Sequence, residues 1–338
     1  MSNCHNLFQK FNGNLSITTT KKEKLMTARD NLRDMIRKHF KEKHSEYKPK
    51  FRGQGSYSLG TMIRTKDDTC DLDNGVYFFP KPEEAATTLQ TWVWDAVENA
   101  TDEKPQHRSK CIRVMYKGEY HIDLPVYYKE SETNNAENPH LAIKNTGWSK
   151  SDPKEFNDWF KQQKDKDGQL VKTIRYLKAW CDNRAKKMPN GLTMTVLACG
   201  NIKYNDRDDI CLRDTLKEIK ASLENDWSCK MPTTPQDDLL ENYSGDKDYF
   251  FESIDKFIDD ATKAIEVETN QLKASKLWQN NLGSYFPDGE DKDVDKQVNA
   301  LASIASTILS GNAKLNNQGN IQADEGVEHK PHKNFGGQ

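Results

Sequence analysis

Apolar residues recur at helical spacing from Leu25 through Ala28, Leu32, Met35, Ile36 and Phe40, behind a Thr20-Lys21-Lys22-Glu23 string of capping-box form. A long amphipathic helix is expected over about 20–43. From Lys50 to Tyr128 the pattern shortens to strand-like runs, Asp71 to Phe79 and Cys111 to Tyr128, with a helix expected between them near 83–98. Lys129 to Pro139 is polar and reads as a loop. Beyond it the chain turns helical. Asp152-Pro153-Lys154-Glu155 joins an N-cap, a proline at the first helical position and a capping carboxylate, ahead of Phe156, Trp159 and Phe160 on one face. Leu170, Ile174, Leu177 and Cys181 form a second stripe, and further helical segments are expected over 192–202, 208–224, 247–278 and 293–310. From Asn312 the periodicity is lost, and Asn, Gln, Gly and charge dominate, a composition that buries too little apolar surface to offset ordering entropy.

This order predicts an α+β chain in four parts. A helical segment (1–49) packs on the rest of the chain, a mixed unit of strands and helices spans 50–150, a helical lobe spans 151–312, and a flexible tail spans 313–338.

Composition narrows the class. Among 338 residues, 50 Lys and Arg stand against 52 Asp and Glu, so the net charge of −2 gives no global electrostatic reason to coat a nucleic acid. Only 35% of residues are hydrophobic, yet 7 Trp, 12 Tyr and 13 Phe supply bulky core material, which argues against general disorder. The tryptophans fall mostly at helical spacing with other apolar groups and read as core. The longest largely apolar stretch, Leu192 to Cys199, falls far short of the roughly 20 residues a membrane helix needs. The polar start of the chain does not read as a secretory signal, so a cytoplasmic protein without membrane association is expected. Seven cysteines are scattered without a C-x-x-C pair or zinc spacing and read as reduced thiols. Neither the histidines nor any G-x-S-x-G string calls for covalent catalysis.

The chemistry concentrates between Gly53 and Asp123. In a strand, Asp71 and Asp73 project from one face of Asp71-Leu72-Asp73 while Leu72, Val76 and Phe78 pack on the other. Two adjacent carboxylates repel unless water or a cation neutralises them, and hard oxygen ligands suit Mg²⁺ or Mn²⁺. A lone Asp-x-Asp also occurs on solvated strand edges. A third acid, Asp123 in Ile122-Asp123-Leu124, repeats the one-sided arrangement, and three acids on neighbouring strands form a site for two metal ions about 3.5 to 4 Å apart. Upstream, Gly55-Ser56 offers close backbone approach and a hydroxyl to a phosphate, although the same dipeptide also makes simple turns. Specificity lies in the order: Gly-Ser, Asp-x-Asp 15 residues after the serine, and an apolar-flanked Asp 50 residues after Asp73. On the helix carrying Ile174 and Leu177, Lys178 falls inside the apolar sector. Either its stem snorkels along the core edge or its ammonium points into a cleft to hold a triphosphate. Tyr57 and Tyr77 are aromatic enough to stack on a base and equally suited to packing.

Gly55-Ser56, Asp71-Leu72-Asp73 and Ile122-Asp123-Leu124 together resemble the signature of the DNA polymerase β-like nucleotidyltransferases. Longer strings narrow this: Gln54-Gly55-Ser56-Tyr57, Asp71 to Tyr77, Gly147 to Pro153 and Arg175 to Trp180 are similar to the bacterial cGAS/DncV-like nucleotidyltransferases of CBASS antiphage systems. The resemblance runs from about Phe51 to about Asn242. It implies a palm with a mixed sheet, a C-terminal helical lobe and an active site in the cleft between them. It implies two Mg²⁺ ions, replaceable by Mn²⁺, on Asp71, Asp73 and Asp123. Gln54, Gly55 and Ser56, with Tyr57 beside them, would cradle the donor triphosphate, Lys178 would contact its phosphates, and Asp238 would stand near a base. The implied activity is synthesis of a cyclic di- or trinucleotide, foremost one of the cyclic GMP-AMP type, from ATP and GTP, read by a downstream effector. Alternative readings keep the same three acids: a template-independent transferase that makes linear products or modifies a macromolecule, or a non-catalytic nucleotide-binding module. The zinc ribbon of the eukaryotic DNA-sensing relatives cannot be built from these cysteines. The end of the chain, His332 to Gln338 with Gly336-Gly337, resembles tails conjugated by an E1/E2-like partner, with Gln338 as a departure.

Overall fold

The computed structural model describes residues 2–310, 313–316, 321–322 and 327–328. Two helices open the chain, α1 (His5–Asn14) and α2 (Thr19–Lys43). The palm then runs through β1 (Lys50–Gln54), the short helix α3 (Gly55–Leu59), β2 (Asp71–Phe78), α4 (Ala86–Val97) and β3 (Gln106–His107). It continues with β4 (Ile112–Tyr116), β5 (Tyr120–Leu124), β6 (Val126–Tyr128), β7 (His140–Ile143) and β8 (Gly147–Lys150). The lobe comprises α5 (Pro153–Gln163), α6 (Gln169–Asp182), α7 (Gly191–Asn201), α8 (Asp208–Asn225), α9 (Lys247–Thr262), a π-helical turn (Lys263–Val267) and α10 (Gln271–Leu282). Last come α11 (Val294–Leu309) and the short strands β9 (Lys314–Leu315), β10 (Ile321–Gln322) and β11 (Val327–Glu328). The mixed palm sheet and the helical lobe after it give the α+β class that the sequence pattern predicts.

Alternation builds the palm. On β2, Leu72, Val76 and Phe78 are buried on the back of the sheet, where Leu25, Leu32, Ile36 and Phe40 of α2 and Leu89, Val93 and Val97 of α4 cover them. The periodic stripe of α2 therefore faces the sheet, as its spacing predicts. Its cap lies two residues earlier than the capping-box pattern: Thr18 accepts a hydrogen bond from the Lys21 amide at 3.2 Å, and the helix begins at Thr19. The front of the sheet is left for the cleft.

β5 and β6 hold one register against β2, with Asp71 opposite His121 and Val76 opposite Val126, an offset of 50 residues in both pairs. They form a single strand parallel to β2, interrupted where Pro125 has no N–H to give, and the Pro125 carbonyl still accepts from the Val76 amide at 2.8 Å. β1 lies antiparallel on the other side of β2. β4 and β7 extend the sheet from β5 and β6, and β3 and β8 extend those in turn.

The lobe has its own core, and α1 belongs to it. The periodic pattern predicts no helix ahead of α2, because α1 offers only Leu7, Phe8 and Phe11 among polar residues and too short a stripe to read. All three are buried, and the Phe8 ring lies 4.8 Å from Trp278, 5.1 Å from Tyr176 and 5.0 Å from Phe286. Ser2 anchors the segment: its amide donates to the Glu268 carbonyl at 2.7 Å and its hydroxyl to the Ala264 carbonyl at 2.8 Å, within the π-helical turn and just after it. The single helix expected over 247–278 is therefore two. After the π-helical turn, the Asn270 side chain caps α10 by accepting from the Lys273 amide.

Where a flexible tail is expected, β9 pairs antiparallel with both β10 and β11. The Gly336-Gly337-Gln338 end and the conjugation expected of it lie outside the described residues.

Candidate active site

The sheet register places the candidate residues in one row. Gln54 on β1 lies opposite Asp73 on β2, Asp73 opposite Asp123 on β5, Asp123 opposite Arg113 on β4, and Arg113 opposite Gln106 on β3. Because partners across a ladder point to the same face, these five side chains share the front of the sheet, with Asp71 and His121 in the next row. The acids expected on neighbouring strands are thus on directly paired ones.

Asp73 is half-buried, between the buried Asp123 and the exposed Asp71. Burial, then the charges of Asp123 and Asp71, push its carboxyl up to about 7, against the pull of Arg113 and Lys178. Gly55 passes directly over it: its φ is +67°, and a Cβ there would stand 1.9 Å from Asp73 Oδ2. Gly55 thus gives both a left-handed backbone and an approach no side chain allows. Asp71 is more exposed and accepts from His121 Nδ1 at 2.7 Å. Both oxygens of Asp123 accept from the Arg113 guanidinium, Nε and Nη2 each at 2.7 Å, and this pairing raises the Arg113 pKa.

Across the cleft, Lys178 on α6 donates to Thr61 Oγ1 at 2.9 Å and to the Thr61 carbonyl at 3.3 Å. Its ammonium does not snorkel to solvent. Burial lowers its pKa to about 8, with the Asp73 charge opposing that shift. Gly191, at the start of α7, makes room for the lysine stem: a Cβ there would lie 3.1 Å from Lys178 Cε. The cleft between palm and lobe is about 920 Å³, within the range of small-ligand sites. Gly55, Ser56, Asp71, Asp73, Asp123 and Lys178 all line it.

The other expected site residues are placed differently. Gln54 lines the cleft, donates from Nε2 to the Tyr127 hydroxyl at 3.1 Å and keeps Oε1 buried without a hydrogen-bond partner. Tyr57 turns toward the palm core, with Lys22 5.9 Å from its ring centre, and does not line the cleft. Asp238 also stays out of it: its Oδ1 accepts from the backbone amides of Cys229 and Leu240, both at 2.9 Å, fastening a turn, and Asp237 is the acid of that loop that reaches the cleft. A sequence position cannot tell which of two adjacent acids a turn turns inward.

Among the described residues, no group of three or more His, Cys, Asp or Glu side chains stands ready to hold a metal ion. Asp71 turns to His121 and Asp123 to Arg113, so like charges find separate partners. The donor chemistry nonetheless fits a hard divalent cation. Asp73 and Asp123 are directly paired across the register, and their mutual repulsion is the imbalance that such an ion relieves. An ionised carboxylate has about four lone-pair sites, of which the Arg113 fork uses two on Asp123.

Periodicity alone does not single out Arg113, although Ile112-Arg113-Val114 repeats the apolar-flanked pattern of Ile122-Asp123-Leu124 and pairing the two strings would place the charges together. Thr61 and Gly191 carry no sequence signal.

Comparison with known proteins agrees with this fold. Residues 49–127 match the family model described as cyclic GMP-AMP synthase DncV-like, nucleotidyltransferase domain. A cyclic GMP-AMP synthase of Escherichia albertii is 27% identical over 252 residues, which cover 69% of this chain and 55% of that protein. One of Escherichia coli is 26% identical over 234 residues, covering 54% of each. The chain thus spans about half the length of the curated relatives it matches. The crystal structure of Vibrio cholerae DncV cyclic AMP-GMP synthase superposes with a TM-score of 0.74 at 19% identity, over 85% of this chain and 98% of that one, a likeness of fold.

Proposed function

We propose, from the match of residues 49–127 to the DncV-like nucleotidyltransferase domain, that the chain is a nucleotidyltransferase that joins NTPs into a cyclic dinucleotide of the cyclic GMP-AMP type. The observation that carries this reading is the register pair Asp73 and Asp123 on the floor of a cleft whose far wall presents Lys178. An anionic floor facing a half-buried cation suits a ligand that is itself a metal-bound polyanion.

Gly55 and Ser56 hold the donor triphosphate from the palm side, and Lys178 holds it from the lobe. Thr61 aims the lysine, and Gly191 leaves its stem the room to reach. The acceptor's ribose hydroxyl oxygen attacks the donor α-phosphorus. A P–O bond forms, the bond to the leaving pyrophosphate breaks, and the hydroxyl proton passes to an oxygen of Asp123. Arg113 fixes the plane of that carboxylate. Mg²⁺ ions, or Mn²⁺, held by Asp71, Asp73 and Asp123, would supply Lewis acidity that lowers the hydroxyl pKa and neutralises charge on the departing pyrophosphate. The linear product then rebinds with its own 5′-triphosphate as donor, and a second, identical displacement closes the ring.

On this reading ATP and GTP are the substrates and a downstream effector in the cytoplasm reads the product as an antiphage signal. The test is stoichiometric. Incubation with the four NTPs and Mg²⁺ should release two pyrophosphates per product, and the product should resist phosphatase. A phosphatase-sensitive product would mean that linear synthesis is the endpoint, and no pyrophosphate would mean that the cleft binds nucleotide without turnover.

A further inference from the structure

The two walls that hold the donor triphosphate in the proposed function come from different parts of the chain, Gly55 and Ser56 from the palm and Lys178 from the lobe. One residue joins them. The Thr61 amide donates to the Ser56 carbonyl at 2.9 Å, and the Thr61 hydroxyl oxygen accepts from Lys178 Nζ at 2.9 Å. Thr61 follows Gly60, whose φ of +77° turns the chain out of α3. It opens a segment that lines the cleft through Thr61, Met62, Ile63 and Thr65.

That segment rests on α6 along a single stripe. Arg175, Lys178 and Asp182 stand at i, i+3 and i+7, the spacing that puts side chains on one helix face. Lys178 takes Thr61. Asp182 Oδ2 accepts from the Lys66 amide. Arg175 acts one step away: its Nη1 donates to Asn12 Oδ1 and its Nη2 to Ser16 Oγ at 2.9 Å. These two contacts bracket Leu15, whose carbonyl accepts from the Arg64 amide at 2.8 Å. Residues 61–66 are thus fastened at start, middle and end, directly or through Leu15, by one face of α6.

Two of the three side chains are poorly placed for stability alone. Asp182 is the last residue of α6, where the helix dipole disfavours a carboxylate. Arg175 is 8% exposed, and among the described residues its guanidinium meets no carboxylate and its Nε has no hydrogen-bond partner. Burial accordingly lowers its pKa. What each holds in place accounts for its position.

We infer that Arg175 and Asp182 are positioning residues for the donor triphosphate: by pinning residues 61–66 to α6 on either side of Lys178, they set the gap between Ser56 and the Lys178 ammonium. This deepens the proposed function and rests on it. A triphosphate bridging that gap meets two walls already spaced, and less freedom is lost on binding than against a lysine free to swing.

The experiment measures donor and acceptor separately in the full chain with Mg²⁺, at matched folded concentration. A dideoxy-NTP acts as donor only, for want of a ribose hydroxyl, and an NTP with a methylene bridge between its α- and β-phosphates acts as acceptor only; adenine and guanine are tried in both roles. The linear dinucleotide is measured by mass. Asp182→Ala should raise the donor KM about 5-fold or more, with the acceptor KM and kcat within about 2-fold. Asp182→Asn keeps an oxygen for the Lys66 amide and should restore the wild-type donor KM. Arg175→Met keeps the stem and discards both hydrogen bonds. It should raise the same KM without lowering the melting temperature, because an apolar chain replaces a buried guanidinium that has no carboxylate. Should that variant melt lower, the two Asp182 variants carry the test. Because Asp182 acts through Thr61, Thr61→Val and Asp182→Ala together should raise the donor KM by less than the product of their separate effects. Four results overturn the inference alone while pyrophosphate still forms: an unmoved donor KM in Asp182→Ala, a rise that Asp182→Asn does not reverse, equal losses for donor and acceptor, or effects of Thr61→Val and Asp182→Ala that multiply. A wild type that releases no pyrophosphate from mixed NTPs removes the underlying reading and this inference with it.

Discussion

Arg113 and Asp123 lie opposite each other across the β4 and β5 pairing, and both carboxylate oxygens accept from the one guanidinium at 2.7 Å. The pair is largely shielded from solvent, with side chains 17% and 12% exposed. The fork supplies a permanent cation beside two carboxylates that otherwise repel, and so holds the palm's acids together.

Arg113→Ala should therefore lower the stability of the metal-free protein by about 1–3 kcal/mol, because Asp123 is left shielded and uncompensated. Mg²⁺ should then raise the melting temperature of the variant more than that of the wild type. Equal metal-induced shifts in the two proteins would show that Arg113 does not act as the counter-ion.

Asp73 gives a pH dependence whose sign is fixed. In the folded, metal-free protein its pKa is about 7, raised first by burial, against 3.8 as its ordinary value. The folded state therefore binds the extra proton across that interval. The contribution to stability is full below about pH 4 and gone above about pH 7, so it declines as pH rises through the window. Asp73→Asn should flatten that part of the melting profile and leave the variant relatively steadier at pH 8 than at pH 4. An unchanged profile contradicts the burial argument.

Gly55 and Gly60 separate backbone strain from close approach. Both have positive φ, +67° and +77°, but a Cβ on Gly60 meets nothing within 4 Å, whereas one on Gly55 strikes the Asp73 carboxylate. Each Ala substitution should cost about 1–2 kcal/mol of backbone strain. Only Gly55→Ala should also reduce pyrophosphate release, by about 100-fold or more, because it displaces a reacting-site group by an ångström or more. Melting curves and rates measured on both variants check this together.

The palm is largely legible in the sequence because its signals are local. Asp71, Asp73 and Asp123 alternate with Leu72, Ile122 and Leu124, and alternation alone assigns faces. The Arg113 fork is not legible, since it needs the register between two strands. Nor is α1, because its stability comes from distant partners: Phe8 packs on Trp278 and Tyr176, more than a hundred residues away. The family resemblance puts Asp238 near a base, while the turn it fastens to Cys229 and Leu240 exists only in three dimensions.

The packing of α1 carries its own prediction. Phe8→Ala should destabilise the lobe by about 3–5 kcal/mol, the usual cost of emptying a buried aromatic site. Because its ring sits in the lobe core, the loss should appear as a lower melting temperature while Mg²⁺ binding to the folded fraction is unchanged. Weakened metal binding would mean instead that α1 shapes the cleft.

The central claim is that the carboxylates of Asp71, Asp73 and Asp123 serve one phosphodiester-forming centre. Its most direct test is a mass spectrum of the products from mixed NTPs and Mg²⁺, for the wild type and for Asp71→Asn/Asp73→Asn at matched folded concentration. The wild type should yield a species at the mass of a cyclic dinucleotide, and the variant should return only the starting NTPs while keeping its fold. A variant that still makes the wild-type product at the wild-type rate contradicts the assignment.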